Sequence, residues 1–247
     1  MPAQSNMVTS KGNELHAGVI VNAMLDRKRS LRDAFADQII ERASPGEAIF
    51  WQADPAQHVF EIVSGAVRTV RILSDGRRVI TGFAFAGDVI GLSCAGRYLT
   101  TVEPIVPTQL RRMSRTRFED EVERQPALRP ALLAHLRDEM TAAQDQVVLL
   151  ARKSAEERVA SFLLSLARRR GDDAADVIEL PMTRLDMADY LGLTIETVSR
   201  IMTRLTKRGV IAAAGRHQIE IRRPASLSAL ALDDEDDGDE LDVREAA

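Results

Sequence analysis

The pattern of apolar and polar positions divides the chain into segments of different period. Residues 1 to about 24 carry no clear period and few large apolar groups, which predicts a mobile arm. From Gly46 to Leu110 short β-branched runs alternate with glycine. Ala48-Ile-Phe-Trp51, His58-Val-Phe-Glu-Ile-Val63, Ala66-Val-Arg-Thr-Val-Arg-Ile72 and Arg78-Val-Ile-Thr81 read as strands. Ser74-Asp75-Gly76-Arg77 lies between the last two, and Asp-Gly between strands predicts a tight hairpin with positive φ at both central residues. Gly65, Gly82, Gly87 and Gly91 fall at spacings suited to the corners of a small barrel or sandwich.

The period then becomes helical. Leu132, Leu136, Met140, Ala143, Val147 and Leu150 are spaced 4, 4, 3, 4 and 3, which keeps one apolar stripe on one helix face. The stripe approximates a coiled-coil seam and predicts a dimer helix; a helix packed on its own β-domain is the alternative. The pattern breaks near Lys153-Ser154, then Ala155 to Ala167 is amphipathic again and stops at Arg168-Arg-Arg-Gly171. Gly171 to Ala175 reads as a loop, and the domain boundary falls between Arg152 and Ala155.

The most informative stretch runs from Met182 to Lys207. Thr183 is placed to cap a first helix, with Asp186 at its third position completing a capping box. Ala188 is small where two helices approach, and Gly192 supplies the turn between them. Thr194 caps a second helix, with Glu196 in its first turn. Val198, Ile201 and Leu205 form a buried face, leaving Glu196, Thr197, Ser199, Arg200, Thr203, Arg204 and Lys207 on the others. An acid can accept from cytosine, an arginine can donate to guanine, and hydroxyls and bases suit phosphates, so this helix is chemically fitted to a DNA groove. Val210 to Ile221 reads as a short hairpin turning at Gly215-Arg216, a wing that sets Arg216 or His217 against the DNA backbone.

Charge sharpens this picture. The net charge of −4 is unusual for a DNA binder, yet nine acids and one base between Asp233 and Ala247 put −8 in the tail, leaving +4 on the remainder. Between Thr183 and Pro224 eight bases face four acids, a compact basic segment. The tail itself reads as disordered. Hydrophobic residues at 45% suit a soluble globular protein, and neither a membrane span nor a secretory signal is evident. The single cysteine, Cys94, cannot form an internal disulfide, which points to a cytoplasmic setting. No catalytic constellation or metal-ligand spacing is present, so an enzyme is not expected.

Three stretches carry a family resemblance: Gly76-Arg-Arg-Val-Ile-Thr-Gly-Phe83 with Gly87-Asp-Val-Ile-Gly91, Lys153-Ser-Ala-Glu-Glu-Arg-Val-Ala160, and Tyr190-Leu-Gly-Leu-Thr-Ile-Glu-Thr-Val-Ser-Arg200. From about Ala34 to Pro224 the chain resembles the CRP/FNR superfamily of transcription regulators, in its FNR/FixK branch. The resemblance implies an α+β fold: a mobile arm (1–24), a cyclic-nucleotide-binding-like β-roll (25–125), a dimerisation helix (126–153), a winged helix-turn-helix (154–226) and an acidic tail (227–247). It further implies a homodimer on double-stranded DNA, at a TTGA-N6-TCAA-like palindrome. There Glu196 and Arg200 would read the G·C pair and Ser199 the neighbouring thymine. Thr183, Thr194, Thr197, Thr203, Arg204 and Arg216 are the candidate backbone contacts. Asp75, Gly76 and Arg77, with the loop from Gly171 to Ala175, are the candidate contacts to RNA polymerase.

The β-roll departs from its relatives. Oxygen-sensing members hold an iron–sulfur cluster on four cysteines, whereas here the arm has none and Arg111 stands near the fourth position, which excludes the cluster. Cyclic-nucleotide members use an acid and an Arg-Ser/Thr pair; the matching positions are Leu92 and Tyr98-Leu99, with Arg97 one position off. The expectation is a regulator without a cofactor, an activator controlled by its own abundance. The alternative is a ligand- or redox-gated regulator, with Cys94 as its candidate thiol. Trp51, Phe83 and Phe85 are expected in the β-roll core.

Overall fold

A computed structural model of the chain describes residues 31–92, 96–169 and 177–232. The first half is a roll of two facing antiparallel sheets. Strands β1 (Ile40–Ala43), β2 (His58–Ser64), β3 (Ala66–Ile72), β4 (Arg78–Phe85), β5 (Val89–Ile90), β6 (Thr101–Pro104) and β7 (Thr108–Ser114) pair in the orders β1-β7-β2-β5 and β4-β3-β6. Phe60, Ile62, Val67, Ala84, Val102 and Leu110 fill the space between the sheets. Strand β2 lacks a clean apolar–polar alternation because its other face is covered too. Val59 there joins Leu31, Phe35 and Phe118 in a second cluster. Helix α1 (Arg115–Arg124), capped by Ser114, supplies Phe118 and Val122 to that cover.

Two local expectations are corrected. Ala48 to Trp51 is not a strand: only Phe50 forms a bridge, to Val102, before the chain turns at Ala53 with φ 71°. The β3–β4 hairpin has positive φ at Gly76 but not at Asp75. The Gly76 N–H donates to the Leu73 carbonyl, and the Leu73 N–H donates to Arg77, as in a type I turn closed by a glycine bulge. Glycine is obligatory at Gly65, where φ is +95° and a Cβ would lie 2.5 Å from the Thr108 hydroxyl.

Helix α2 (Leu128–Arg152) begins against the roll, burying Leu128, Ala131 and Ala134. Leu132 and Leu136 also turn partly onto that cluster, while Leu133 is 64% exposed. Farther along, Met140, Val147, Val148 and Leu150 are exposed. The chain becomes extended at Lys153, and Ser154 opens helix α3 (Ala155–Arg168) with a full capping box to Glu157. Arg158 ties this corner together: its guanidinium donates to the carbonyls of Leu150, Lys153 and Leu191 at 2.9, 2.9 and 3.0 Å. Each acceptor lies at the end of a helix, where carbonyls lack intrahelical donors.

The second half contains β8 (Val177–Glu179), α4 (Arg184–Leu191), α5 (Ile195–Lys207), β9 (Ile211–Gly215), β10 (Gln218–Ile221) and α6 (Pro224–Leu232) around one core. Strand β8 pairs with β10, making the expected two-stranded wing a three-stranded sheet. Helix α6 packs fully buried Leu227 against that core, so the folded region continues past the expected boundary at 226. The aromatic expectations also shift. Trp51 is 54% exposed, and Phe83 leaves the roll interior to meet Phe162 and Tyr190 of the second half. Phe85 also packs toward that half, under the Arg169 guanidinium. Both rings lie on a face of the roll that a neighbouring domain covers.

Candidate DNA-reading surface

The helix-turn-helix is fixed by local chemistry at each joint. Thr183 and Asp186 form the reciprocal capping box of α4: the Thr183 hydroxyl accepts from the Asp186 N–H, and an Asp186 oxygen accepts from the Thr183 N–H. Gly192 closes the helix in the left-handed region, φ 63°. Thr194 caps α5 by accepting from the Thr197 N–H at 3.2 Å. Val198, Ile201, Met202 and Leu205 are buried, which leaves one polar face of α5 outward.

On that face Glu196, Ser199, Arg200, Thr203, Arg204 and Lys207 are all exposed. A groove lined by Ser199, Arg200, Thr203, Arg204 and Lys207 runs along it. Glu196 is held below the usual carboxylate range by its own backbone N–H, by the Thr194 hydroxyl and by the charge of Arg200. It therefore remains an acceptor well into mild acid. Arg200 is exposed and lines that groove, with no ion-pair partner among the described residues. Arg204 differs: it pairs with Glu156 of α3 at 2.6 Å, and Arg208 pairs with the same carboxylate at 3.1 Å. Glu156 and Arg208 are surface residues that sequence reasoning passed over, because their partner lies 48 to 52 positions away.

Thr183 and Thr194 are exposed at the starts of their helices, and Thr197 is half-buried beside Arg200 and Arg204. Arg216 and His217 are exposed at the tip of the β9–β10 wing. On the opposite half, Asp75 accepts from the backbone and side chain of Arg77, which lowers the pKa of its carboxyl. That hairpin tip is exposed.

In the roll, of the positions that the family resemblance sets against the nucleotide, Leu92 and Tyr98 are packed. Leu92 is buried in the cluster behind β2. The Tyr98 ring stacks on Phe50 at 3.9 Å; its hydroxyl donates to the His58 carbonyl at 2.8 Å and accepts from the His58 N–H at 3.2 Å. Leu99 is exposed, and Arg97 donates to the Ala53 carbonyl at 2.6 Å. Arg111, near the fourth cysteine position of oxygen sensors, pairs with buried Glu61 at 3.0 Å, and Arg32 holds the other oxygen of that carboxylate. Cys94, the arm, the loop from Gly171 to Ala175 and the acidic run from Asp233 onward lie outside the described residues. Among the described residues no cluster of His, Cys, Asp and Glu could hold a metal, and no helix is long and apolar enough to cross a membrane.

A β-roll, a long helix and a winged helix-turn-helix with an open polar recognition face define a two-domain reader of duplex DNA. Family comparisons agree with both halves. A cyclic nucleotide-binding domain model matches residues 40–125, and a Crp-like helix-turn-helix domain model matches residues 157–230. The chain is 38% identical over 192 residues to the nitrogen fixation regulation protein FixK of Bradyrhizobium diazoefficiens, covering 76% of this chain and 80% of that relative. It is 34% identical over 203 residues to the fumarate and nitrate reduction regulatory protein of Salmonella typhi, covering 79% and 80%. The solved structure of FixK2 from Bradyrhizobium japonicum superimposes with a TM-score of 0.73 at 38% identity, covering 78% of this chain and 96% of that one. The chain belongs to the CRP/FNR family and is a DNA-binding transcription regulator, not an enzyme.

Proposed function

We propose that the protein acts as a FixK-like homodimeric activator that binds a TTGA-N6-TCAA-like palindrome without a bound effector. The observation that carries this reading is the open face of α5, with Glu196 and Arg200 one helical turn apart and Ser199 between them. In this reading Arg200 donates to guanine and Glu196 accepts from its cytosine partner, while Ser199 approaches the neighbouring thymine. Thr183, Thr194, Thr197, Thr203 and Arg216 hold the backbone, and Arg204 reaches phosphate by exchanging its Glu156 contact.

Leu133, Leu136, Met140, Ala143, Val147 and Leu150 follow a strict 3-4 heptad spacing, and all but Leu136 are exposed. This makes Leu133, rather than Leu132, the first seam residue of the proposed dimer. RNA polymerase is the second partner, through the Asp75–Arg77 hairpin. The cofactor-free reading is supported by Leu92 and Tyr98, which place packed apolar groups where nucleotide-binding relatives carry an acid and an arginine. The test is footprinting with purified protein and no additive. Protection of the palindrome is expected; protection only after a small molecule is added would favour the ligand-gated alternative.

A further inference from the structure

The two halves of the chain touch at more than the Lys153–Ser154 hinge. Asp186, buried at the third position of α4, uses its two oxygens differently. Oδ2 accepts from the N–H and hydroxyl of Thr183 at 2.9 and 2.7 Å, closing the cap. Oδ1 accepts from Nη1 of Arg68 at 2.5 Å, across 118 residues of sequence and from strand β3 of the roll. Arg68 is itself held in place: Nε and Nη2 donate to Glu103 at 3.0 and 2.8 Å from the adjacent strand β6. Beside this pair, the Phe83 ring meets Tyr190 edge-on at 5.3 Å. Asp88 pairs with Arg169 farther along the same junction.

A helix cap needs one carboxylate oxygen, and nothing in the folding of α4 requires the second to be met from another domain. The added contact is a single, partly buried ion pair from Nη1 of a guanidinium whose other two nitrogens are already held by Glu103, so it forms only when Asp186 lies where that fixed nitrogen points. Without it, the angle of the reading domain would rest on the hinge, the Phe83 ring contacts and the Asp88–Arg169 pair. A dimer that reads two half-sites must present its recognition helices about 34 Å apart, in successive major grooves.

We infer that Arg68, held by Glu103, is a positioning residue for DNA recognition: it latches α4 onto β3 and so fixes the angle at which each α5 meets its groove. The inference rests on the palindrome-reading dimer proposed above. It assigns to Arg68 a property that base contacts cannot supply, the selectivity for spacer length between half-sites.

The test uses the full-length chain carrying Arg68→Gln and a set of palindromes with lengthened or shortened spacers. A duplex with one half-site serves as reference. Affinity for the natural spacing should fall about tenfold, with a smaller fall at the other spacings, so that spacer preference flattens. Affinity for the single half-site should stay within about twofold, and the G·C preference should be kept. Phe83→Leu, which leaves every ionic group in place, should move the same ratio in the same direction, with melting and sedimentation confirming fold and dimer. Unchanged spacer ratios in both variants would overturn the inference. So would a parallel loss on palindrome and half-site, which would make Arg68 a support of the reading domain alone. A wild-type protein indifferent to spacer would instead remove the dimeric reading, and the inference with it.

Discussion

The roll and the reading domain place their polar groups in opposite ways. In the reading domain, hydroxyls and charges of α5 stand open on one face over a buried strip of Val198, Ile201 and Leu205. In the roll, Leu92 and Tyr98, at positions that the family resemblance sets against the nucleotide, are buried, and the Tyr98 hydroxyl is bonded within the protein. One half leaves these side chains open to a partner; the other packs its own together.

The largest effect should come from the packed side. Tyr98→Ala removes a ring stacked on Phe50 and a hydroxyl bonded to His58, and should destabilise the fold by about 3–5 kcal/mol in thermal unfolding. DNA affinity measured well below the melting point should be unchanged. A collapse of affinity with the fold intact would mean that the roll interior still controls reading, and the contrast would fail.

Arg200→Ala tests the open side. It should cost roughly 1–3 kcal/mol per half-site and relax preference at the G·C pair, read by anisotropy on matched and altered palindromes. Equal losses on specific and random duplex would make Arg200 a phosphate contact instead.

The smallest effect concerns acidity. The Glu196 pKa is depressed, so the acceptor role proposed for it should hold through the ordinary carboxylate range and be lost only as pH falls through the depressed value. G·C preference should therefore persist from neutral to about pH 5. Thr194→Val removes one cause of the depression, so the loss of preference should begin at higher pH; identical profiles would show that the hydroxyl is not involved.

What was legible in the sequence follows distance along the chain. Thr183–Asp186 and Ser154–Glu157 lie three residues apart, so composition alone places the caps of α4 and α3, though only the first was read as a capping box. The turn at Gly192 was legible for the same reason. Leu132 and Leu133 could not be distinguished by periodicity, because both fit an apolar stripe and only the roll decides which one it covers. Helix α6 was missed because its apolar residues show no single face, and its burial depends on the surrounding core. Strand β8 has three residues, too few for a period, and is defined by its pairing to β10. Arg68–Asp186 and Glu156–Arg204 join distant elements through side chains that read as ordinary surface charges. The residues proposed to read bases could be named from sequence, whereas those proposed to orient them could not.

Glu156 has a consequence for how binding should respond to salt. A base that stands alone gathers loosely held anions, and phosphate gathers cations; their meeting releases ions, which makes affinity fall steeply as salt rises. Arg204 and Arg208 already share a carboxylate, so in the proposed complex they would meet DNA with part of their charge neutralised from within. The steepness of the salt dependence will then count fewer bases than α5 and its C-terminal end display. What remains of affinity at high ionic strength will come from the groove contacts, which carry the sequence information.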